Sequence, residues 1–300
     1  MYTPHLSYLA AVSLLAPLLL TACGDDDDEV VIANQTSAFI AATPTFSRLD
    51  GALDEASRRT LDAQGQLTLF APNDAAFAAA DLAGLPTDLP QDVLLYHALG
   101  GIVLRSEDIA PGLRIFNNAQ LSTPSLLVQR SSDGIRVNDA RVVTPDLFTA
   151  NGIVHEIDAV LTLPTAFDLA TYLPSLSSFV ATIRDAGLAD TLRASIPDGI
   201  TVLAPTDAAF LAAGPTLAGL SAEERSEVLQ YHILPGVALS RDLLDGRRLT
   251  TLRGRELTVW RSGNDIRLID ERDNAVAVEV ADLRGTNGVV HGIAGVLLTE

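Results

Sequence analysis

The most constraining feature of this chain is an internal duplication. Three separated segments of the first half return in the same order in the second half, beginning at positions 67 and 200, 94 and 229, and 151 and 287. The offsets are therefore 133, 135 and 136 residues, too long for a solenoid repeat and suited to a whole small domain. The three pairs are LTLFAPNDAAF and ITVLAPTDAAF, LLYHALGG and LQYHILPG, and NGIVHEIDAVL and NGVVHGIAGVL.

Copies that keep their spacing so closely must share one architecture, because insertions are tolerated mainly in loops between packed elements. A domain of about 135 residues buries roughly two thirds of its unfolded surface, so each copy has enough chain for its own core. The first closing strand pattern ends near Leu163, Pro164 and Thr165, where a new helical pattern begins. We therefore expect one domain over residues 34–163 and a second over residues 164–300.

An export signal precedes the repeats. Residues 6–20 form an apolar stretch that is too short and too interrupted to span a bilayer. The stretch ends at Leu20-Thr21-Ala22-Cys23, and small residues directly before a cysteine resemble the bacterial lipobox. In that interpretation residues 1–22 are a lipoprotein signal peptide and Cys23 is lipidated. The alternative is an ordinary leader followed by an unmodified thiol.

A run of carboxylates follows the cysteine at residues 25–29. Like charges in a row repel one another and keep a segment extended, so we interpret residues 23–33 as an acidic tether. The lipobox resemblance and the tether together predict a bacterial cell-envelope protein, lipid-anchored at the periplasmic face or the cell surface. This N-terminal anchor is then its only membrane attachment.

The charge pattern excludes one class of partner. The formal net charge is −18 and no basic stripe is visible, so a nucleic acid would be repelled. The chain contains one cysteine, which leaves both domains without an internal disulfide.

Each copy contains a strand that turns directly into a helix. The apolar runs at 67–70 and 200–203 stop at Ala-Pro, because proline has no N–H for a strand ladder. A polar residue that caps the next helix then follows, with an aspartate at the positive helix end. These structural residues are Asn73 and Asp74 in the first copy and Thr206 and Asp207 in the second.

Each copy contains a Tyr-His pair, Tyr96-His97 in the first and Tyr231-His232 in the second, and becomes rich in strand patterns after it. Alternating segments flank four-residue turns at 131–134 and 262–265 and indicate two hairpins. Each copy closes with an Asn-Gly pair and an alternating strand, where we expect glycine to supply a positive φ. The structural residues of this closing motif are Asn151, Gly152, Asn287 and Gly288.

These motifs resemble the signatures of fasciclin domains. TLFAPNDAAF and TVLAPTDAAF are similar to the first signature, the Tyr-His pairs to the central motif, and NGIVHEIDAVL and NGVVHGIAGVL to the closing one. The resemblance covers nearly all of the chain after the leader. It implies an α+β fold of two tandem fasciclin-like β-wedge domains, each with two β-sheets and packed helices. The two copies are hardest to align before Leu67. The helices expected there would correspond to residues 171–197 of the second copy.

The histidines after the leader occupy paired positions, His97 with His232 and His155 with His291. Catalysis would need a nucleophile and an orienting carboxylate, but no motif supplies the nucleophile. Asp158 lies three residues from His155, on the opposite face of a strand. Two histidines per copy on different elements do not supply the ligands of a zinc site. We therefore expect no catalytic residue, cofactor or metal, and structural roles for His155 and His291.

The family resemblance also implies binding. In animal fasciclin domains, adhesion has been linked to the Tyr-His region and to an Asp-Ile-like segment before the closing Asn-Gly. An exposed carboxylate beside an aliphatic side chain gives a partner one hydrogen bond and one apolar anchor. The alternative is that the leucines fill the core and the aspartates cap a turn. The matching candidate binding residues are Tyr96, His97, Tyr231, His232, Asp146, Leu147, Asp282 and Leu283.

Trp260 is a further candidate for binding. Strand alternation places Leu257 and Val259 on one face and Thr258 and Trp260 on the other. If the first face is the core, the indole lies outside and contacts either a partner or the other domain.

These observations favour an envelope-anchored adhesion or binding protein that contacts a cell-surface or matrix protein or a polysaccharide. Two alternatives stay open at this point. One is an envelope enzyme or enzyme accessory that uses His97 or His155, and the other is a structural spacer without a specific ligand.

Overall fold

The computed structural model describes residues 34–80, 90–117 and 123–299. The expected signal peptide at 1–22, the lipidation site Cys23 and the acidic tether at 23–33 lie outside these residues. Among the helices of the described ranges, none combines the length and the apolar character that crossing a bilayer requires.

The first copy begins with short helices and continues into strands. A 3₁₀ turn at Pro44–Phe46 separates the first two helices. The helices are α1 (Thr36–Ala42), α2 (Ser47–Ala52), α3 (Glu55–Ala63), α4 (Asp74–Ala79) and α5 (Gln91–Tyr96). The strands are β1 (Leu67–Pro72), β2 (Ala98–Gly100), β3 (Gly112–Phe116), β4 (Leu126–Ser131), β5 (Gly134–Val137), β6 (Ala140–Thr149) and β7 (Gly152–Ile157).

The second copy repeats this order, including the helices before the first strand that were hardest to align from the sequence. Its 3₁₀ turn at Pro174–Leu176 corresponds to the one in the first copy. The helices are α6 (Ala166–Thr171), α7 (Ser177–Asp185), α8 (Ala189–Arg193), α9 (Asp207–Ala218) and α10 (Ala222–Tyr231). The strands are β8 (Ile200–Pro205), β9 (Ile233–Pro235), β10 (Arg248–Thr250), β11 (Glu256–Ser262), β12 (Asp265–Ile269), β13 (Ala275–Arg284) and β14 (Gly288–Ile293).

The strands are connected identically in the two copies. Hydrogen-bonded neighbours run β2-β1-β7-β6-β5-β4-β3 in the first and β9-β8-β14-β13-β12-β11-β10 in the second. The long strands β6 and β13 pair with the hairpin at one end and with the closing strand at the other. Two register shifts interrupt each long strand between these ends, so that it belongs to two sheets. The α+β fold of two tandem domains predicted from the sequence is confirmed.

Side chains define how the helix after each first strand begins. The Asn73 side chain accepts the N–H of Ala76 at 2.8 Å, and the Thr206 side chain accepts the N–H of Ala209 at 3.3 Å. Asp74 and Asp207 accept a backbone N–H from α2 and α7 at 2.8 and 2.7 Å. The two aspartates therefore tie the strand-to-helix turn to the helices at the start of each domain.

A parallel pair joins the first and the last strand of each domain. β1 pairs with β7 and β8 with β14, and every residue of β1, β8 and β14 is buried. A Cβ atom on Gly152 would lie 2.1 Å from the carbonyl oxygen of Leu67, and one on Gly288 would lie 2.2 Å from that of Ile200. Glycine is therefore required here for close backbone approach. The positive φ expected from the sequence is wrong, since neither glycine adopts it.

The two domains form one compact unit and meet through the outer surface of β3 and β4. Leu127 on β4 is 2% exposed and belongs to the core of the second domain, against which Leu113 and Ile115 also pack. Ser125 N–H donates to the carbonyl of Arg284, and its hydroxyl accepts the Arg284 N–H, both at 2.8 Å. The junction therefore combines a shared apolar core with two hydrogen bonds between Ser125 and the main chain of Arg284. The predicted boundary at residues 163 and 164 stays a prediction.

Replacing Gly152 or Gly288 by alanine should lower the free energy of unfolding by roughly 1–3 kcal/mol, the usual cost of overpacking. The added methyl group overlaps a backbone oxygen that cannot move without disturbing the parallel strand pair. Urea unfolding measures the change. Gly51→Ala in α2 is the matched control, because nothing lies within 4 Å of the added Cβ. Equal losses at Gly51 and Gly152 would contradict the explanation.

Candidate functional site

The Tyr-His pairs lie inside the domains. Tyr96, His97, Tyr231 and His232 are each at most 1% exposed. The hydroxyl of Tyr96 donates to the carbonyl of Ser125 at 2.8 Å, and that of Tyr231 donates to a carbonyl at the start of β11 at 3.0 Å. In the first domain the tyrosine thus supports the residue that bonds to the second domain.

The imidazoles of His97 and His232 bond the main chain on both sides. Nδ1–H donates to the carbonyl four residues earlier, at 2.8 and 2.7 Å. Nε2 accepts the N–H of Leu161 in one copy and of Leu297 in the other, at 2.9 and 3.0 Å. Burial lowers the pKa of both histidines to about 4, although the bond to the carbonyl acts in the opposite direction. Both rings are therefore neutral at physiological pH.

His155 and His291 on the closing strands use the other tautomer. Nε2–H donates to a carbonyl in the segment after β2 or β9, at 2.8 Å in both copies. Nδ1 accepts the N–H of Asp146 or Asp282 at 3.2 and 3.3 Å. Burial lowers the pKa of both rings. Each histidine thus joins the closing strand to the irregular part of β6 or β13.

The carboxylates of Asp146 and Asp282 are engaged by serines. Asp146 accepts the Ser106 N–H at 2.9 Å and the Ser106 hydroxyl, and Asp282 accepts the same groups of Ser240 at 2.7 and 2.6 Å. Both aspartates have φ 62°, a region that few residues other than glycine adopt. Partial burial alone would raise the pKa of Asp146, but the bonds from Ser106 outweigh it and hold this pKa below its usual value. Both carboxylates therefore fasten the 3₁₀ turn that begins at the serine.

The structure thus separates the candidate binding residues into buried and accessible ones. The Tyr-His side chains and the fully buried Leu283 offer a partner nothing to contact in this conformation. Leu147 is half-buried and packs against the core of the first domain. For the Asp-Leu segments, the geometry therefore corresponds to the second interpretation, in which the leucines fill the core and the aspartates cap a turn.

Trp260 lies on the surface of β11 and is 40% exposed. Leu257 and Val259 are 0% and 1% exposed on the inner face, as strand alternation predicts. Arg267 lies directly opposite on β12 and places its guanidinium carbon 5.4 Å from the centre of the indole ring. The same guanidinium pairs with Asp265 at 3.0 Å. Trp260 and Arg267 together form an aromatic and cationic surface that faces solvent.

The closing asparagines hold the first helices of each domain. Asn151 accepts the N–H at the start of α1 at 3.0 Å and donates to the carbonyl of Leu61 in α3 at 2.8 Å. Asn287 makes the same pair of bonds to α6 and α8 at 2.9 and 2.8 Å. These amides satisfy main-chain groups at helix ends that would otherwise be left unpaired.

The histidines therefore provide hydrogen bonds to the main chain rather than free acids or bases. Each of the four rings has both nitrogens bonded, so no ring nitrogen is left to exchange a proton with a substrate. Across the part of the chain that the structure describes, no group of three or more His, Cys, Asp or Glu side chains is placed to hold a metal ion.

Two accessible residues were missed by sequence reasoning. Arg267 could have been found by counting outward from the hairpin turn at 262–265, which puts positions 260 and 267 opposite each other. Phe148 follows the Asp-Leu segment of the first domain and is 61% exposed. At the equivalent position the second domain has Arg284, whose main chain bonds the first domain. No local pattern distinguishes these two environments.

Comparison with known proteins agrees with the repeated motifs and their geometry. A model of the fasciclin domain matches residues 44–164 and 174–299. The chain belongs to the fasciclin domain family. Fasciclin domains are found in adhesion proteins and in proteins that bind the extracellular matrix.

Several curated proteins resemble this fasciclin chain. A fasciclin-like arabinogalactan protein of Arthroderma benhamiae is 26% identical over 89% of this chain and 67% of that protein. Human periostin is 30% identical over 81% of the chain, and pig transforming growth factor-beta-induced protein ig-h3 is 27% identical over 82%. The chain spans only 29% and 36% of the length of these two animal relatives. A solved fasciclin domain pair from the insect cell adhesion molecule Fasciclin I is 17% identical, with a TM-score of 0.47, over 85% of this chain and 95% of that one.

The fasciclin chain should lose stability as the pH falls from 6.5 towards 4. The unfolded chain binds protons on its histidines near the usual pKa of 6.5, whereas folded His97 and His232 stay neutral down to about 4. Their contribution is therefore fully present above pH 6.5 and is lost across this window, by roughly 3 kcal/mol for each ring. Carboxylates with lowered pKa values, including Asp74 and Asp207, extend the loss to lower pH.

Urea unfolding at several pH values between 7.5 and 4 measures this dependence. His97→Gln should be less stable than the unchanged protein at pH 7 and should show a shallower decline between pH 6.5 and 4. Equal stability of the unchanged protein at pH 7 and pH 5 would exclude the assignment of neutral, buried rings.

Proposed function

We propose that this fasciclin protein is a lipid-anchored adhesion protein of the bacterial cell envelope. In this proposal the outer face of the second domain binds a cell-surface or matrix protein or a polysaccharide. The outer face consists of Arg248, Thr258, Trp260 and Arg267, which form two cross-strand pairs on β10, β11 and β12. The exposure of Trp260, the single tryptophan of the chain, carries the proposal.

The corresponding surface of the first domain is already an interface. There Leu127 stands in the place of Thr258 and lies opposite Ile115 on β3, while Leu113 lies opposite Gln129. The three apolar side chains pack against the core of the second domain. This side of the fold therefore contacts another domain in the first copy, whereas in the second copy Trp260 on the same side is exposed.

The chemistry of the outer face suits recognition. Tryptophan and arginine are the side chains most enriched among residues that dominate binding energy at interfaces. An indole offers a large, rigid apolar surface at little cost in conformational entropy. The guanidinium of Arg267 already contacts Asp265 and the indole ring. Its side chain therefore loses less conformational entropy when a partner binds. The free guanidinium N–H groups can then donate to hydroxyl, carbonyl or carboxylate oxygens.

Trp260→Ala should weaken binding of the mature chain to its envelope or matrix partner at least tenfold, equivalent to about 1.4 kcal/mol. Retention on immobilised matrix proteins, envelope extracts and polysaccharides identifies the partner class, and titration of the retained partner gives the affinity. Trp260→Phe should lose less, because an aromatic surface remains.

Leu211→Ala is the matched control, because Leu211 is 82% exposed on α9, away from the outer face. Equal affinity of Trp260→Ala and the unchanged chain would exclude the outer face as the binding site. No retained partner for the unchanged chain would favour a spacer without a ligand.

The proposed anchor depends on Cys23. In a bacterial host, Cys23→Ser should move the protein from the membrane fraction to the soluble fraction and abolish labelling by radioactive palmitate. Thr21→Ser keeps a small residue ahead of the cysteine and should retain both properties. Recovery of the unchanged chain in the soluble fraction without lipid label would contradict lipidation and favour an ordinary leader.

A further inference from the structure

The second domain contains a cavity of about 530 Å³ between α7, α9 and α10. Its walls are mainly aromatic and aliphatic, and its volume lies within the usual range for small-molecule sites. The apolar side chains that define it are Phe179, Pro205, Phe210, Leu217, Val228 and Val296.

The helix α9 is unusual in how little of it is packed. Apart from its first residue, it is composed of apolar residues, threonine, glycine and proline, yet Ala209 alone among its residues is buried. Phe210 and Leu217 face the cavity and are half-buried, and Gly214 lines the cavity without a side chain. An apolar helix with so few packed residues leaves surface that a ligand would remove from water.

The charged groups of the cavity lie at its rim. Arg225 on α10 is exposed, and the bond from its Nε to the Ser221 carbonyl is long, at 3.4 Å. Within the described residues, no carboxylate lies within 4.0 Å of the Arg225 guanidinium. His232 contributes to the lining, but both its ring nitrogens are bonded to the main chain. The cavity therefore offers apolar walls and, at its rim, a guanidinium that no carboxylate of the described residues pairs with.

We propose that this cavity binds a small amphipathic carboxylate, with its apolar tail among the side chains of α7, α9 and α10 and its carboxylate on Arg225. A guanidinium matches a carboxylate with two parallel N–H donors, which fixes the orientation of the ligand. Asp185 also lines the cavity and would attract an amine head group instead. The site is separate from the outer face around Trp260 and does not depend on the proposed adhesion.

The probe is decanoate below its micelle concentration, added to the mature chain and followed by calorimetry and thermal unfolding. Decanoate should bind saturably and raise the unfolding temperature, whereas methyl decanoate should bind at least tenfold more weakly. Arg225→Gln should reduce the affinity for decanoate at least tenfold and leave that for the ester unchanged. Arg184→Gln is the matched charge control, because Arg184 is exposed on α7 and does not line the cavity.

Gly214→Phe tests the apolar part of the cavity. Nothing lies within 4 Å of a Cβ atom added at Gly214, so the variant should fold and should fill the space that the tail needs. It should lose decanoate binding, whereas Leu211→Phe on the exposed side of the same helix should keep it. Trp260→Ala should bind decanoate normally, which separates this site from the adhesive surface.

Three results would overturn the proposal. They are no saturable decanoate binding by the unchanged chain, undiminished binding by folded Gly214→Phe, and tighter binding of decylamine than of decanoate. The last result would assign the head-group site to Asp185 instead.

Discussion

The parallel pairing of the first strand with the closing strand is the constraint on which each domain depends. It brings together two segments about 85 residues apart in sequence and places them one strand in from the edge strand β2 or β9, with most of their residues buried. The carbonyl of Leu67 comes so close to Gly152 that no side chain fits, and Ile200 and Gly288 repeat this contact. The strand-to-helix turn follows β1 or β8, and the long strand β6 or β13 pairs with the other side of β7 or β14. The register of the parallel pair therefore positions both the turn and the long strand.

Polar side chains then satisfy the main-chain groups that this packing leaves unpaired. The closing asparagines bond the ends of the first helices, while the histidines bond carbonyl and N–H groups between strands and loops. An unpaired buried polar group costs about 1–3 kcal/mol, which explains why these residues occur at the same places in both copies. The polar residues that the sequence offers as possible catalytic or binding groups thus stabilise the fold through these hydrogen bonds.

The two copies differ on the surfaces that meet each other or face solvent. The surface that carries Leu127 in the first domain is covered by the second, and the same surface in the second domain carries Trp260 and Arg267. Phe148 and Arg284 show a similar difference at the segment before the closing turn. Function is therefore better sought in the positions that distinguish the copies than in the motifs that they share. The cavity beneath α9 adds a second accessible surface in the second domain.

The sequence by itself determined the fold of each half, the strand-to-helix turns and the face of β11 on which Trp260 lies. The duplication predicts that both halves share one fold, and the resemblance to fasciclin domains implies which fold it is. The turns follow from proline and capping residues, and the face of β11 follows from the two-residue period of a strand, which are local properties. Only the tertiary structure decided that Tyr96 and His97 are buried, that Ser106 occupies the carboxylate of Asp146, and that Leu127 completes the core of another domain. Local patterns fix the direction in which a side chain points, whereas its exposure depends on which distant element covers that face.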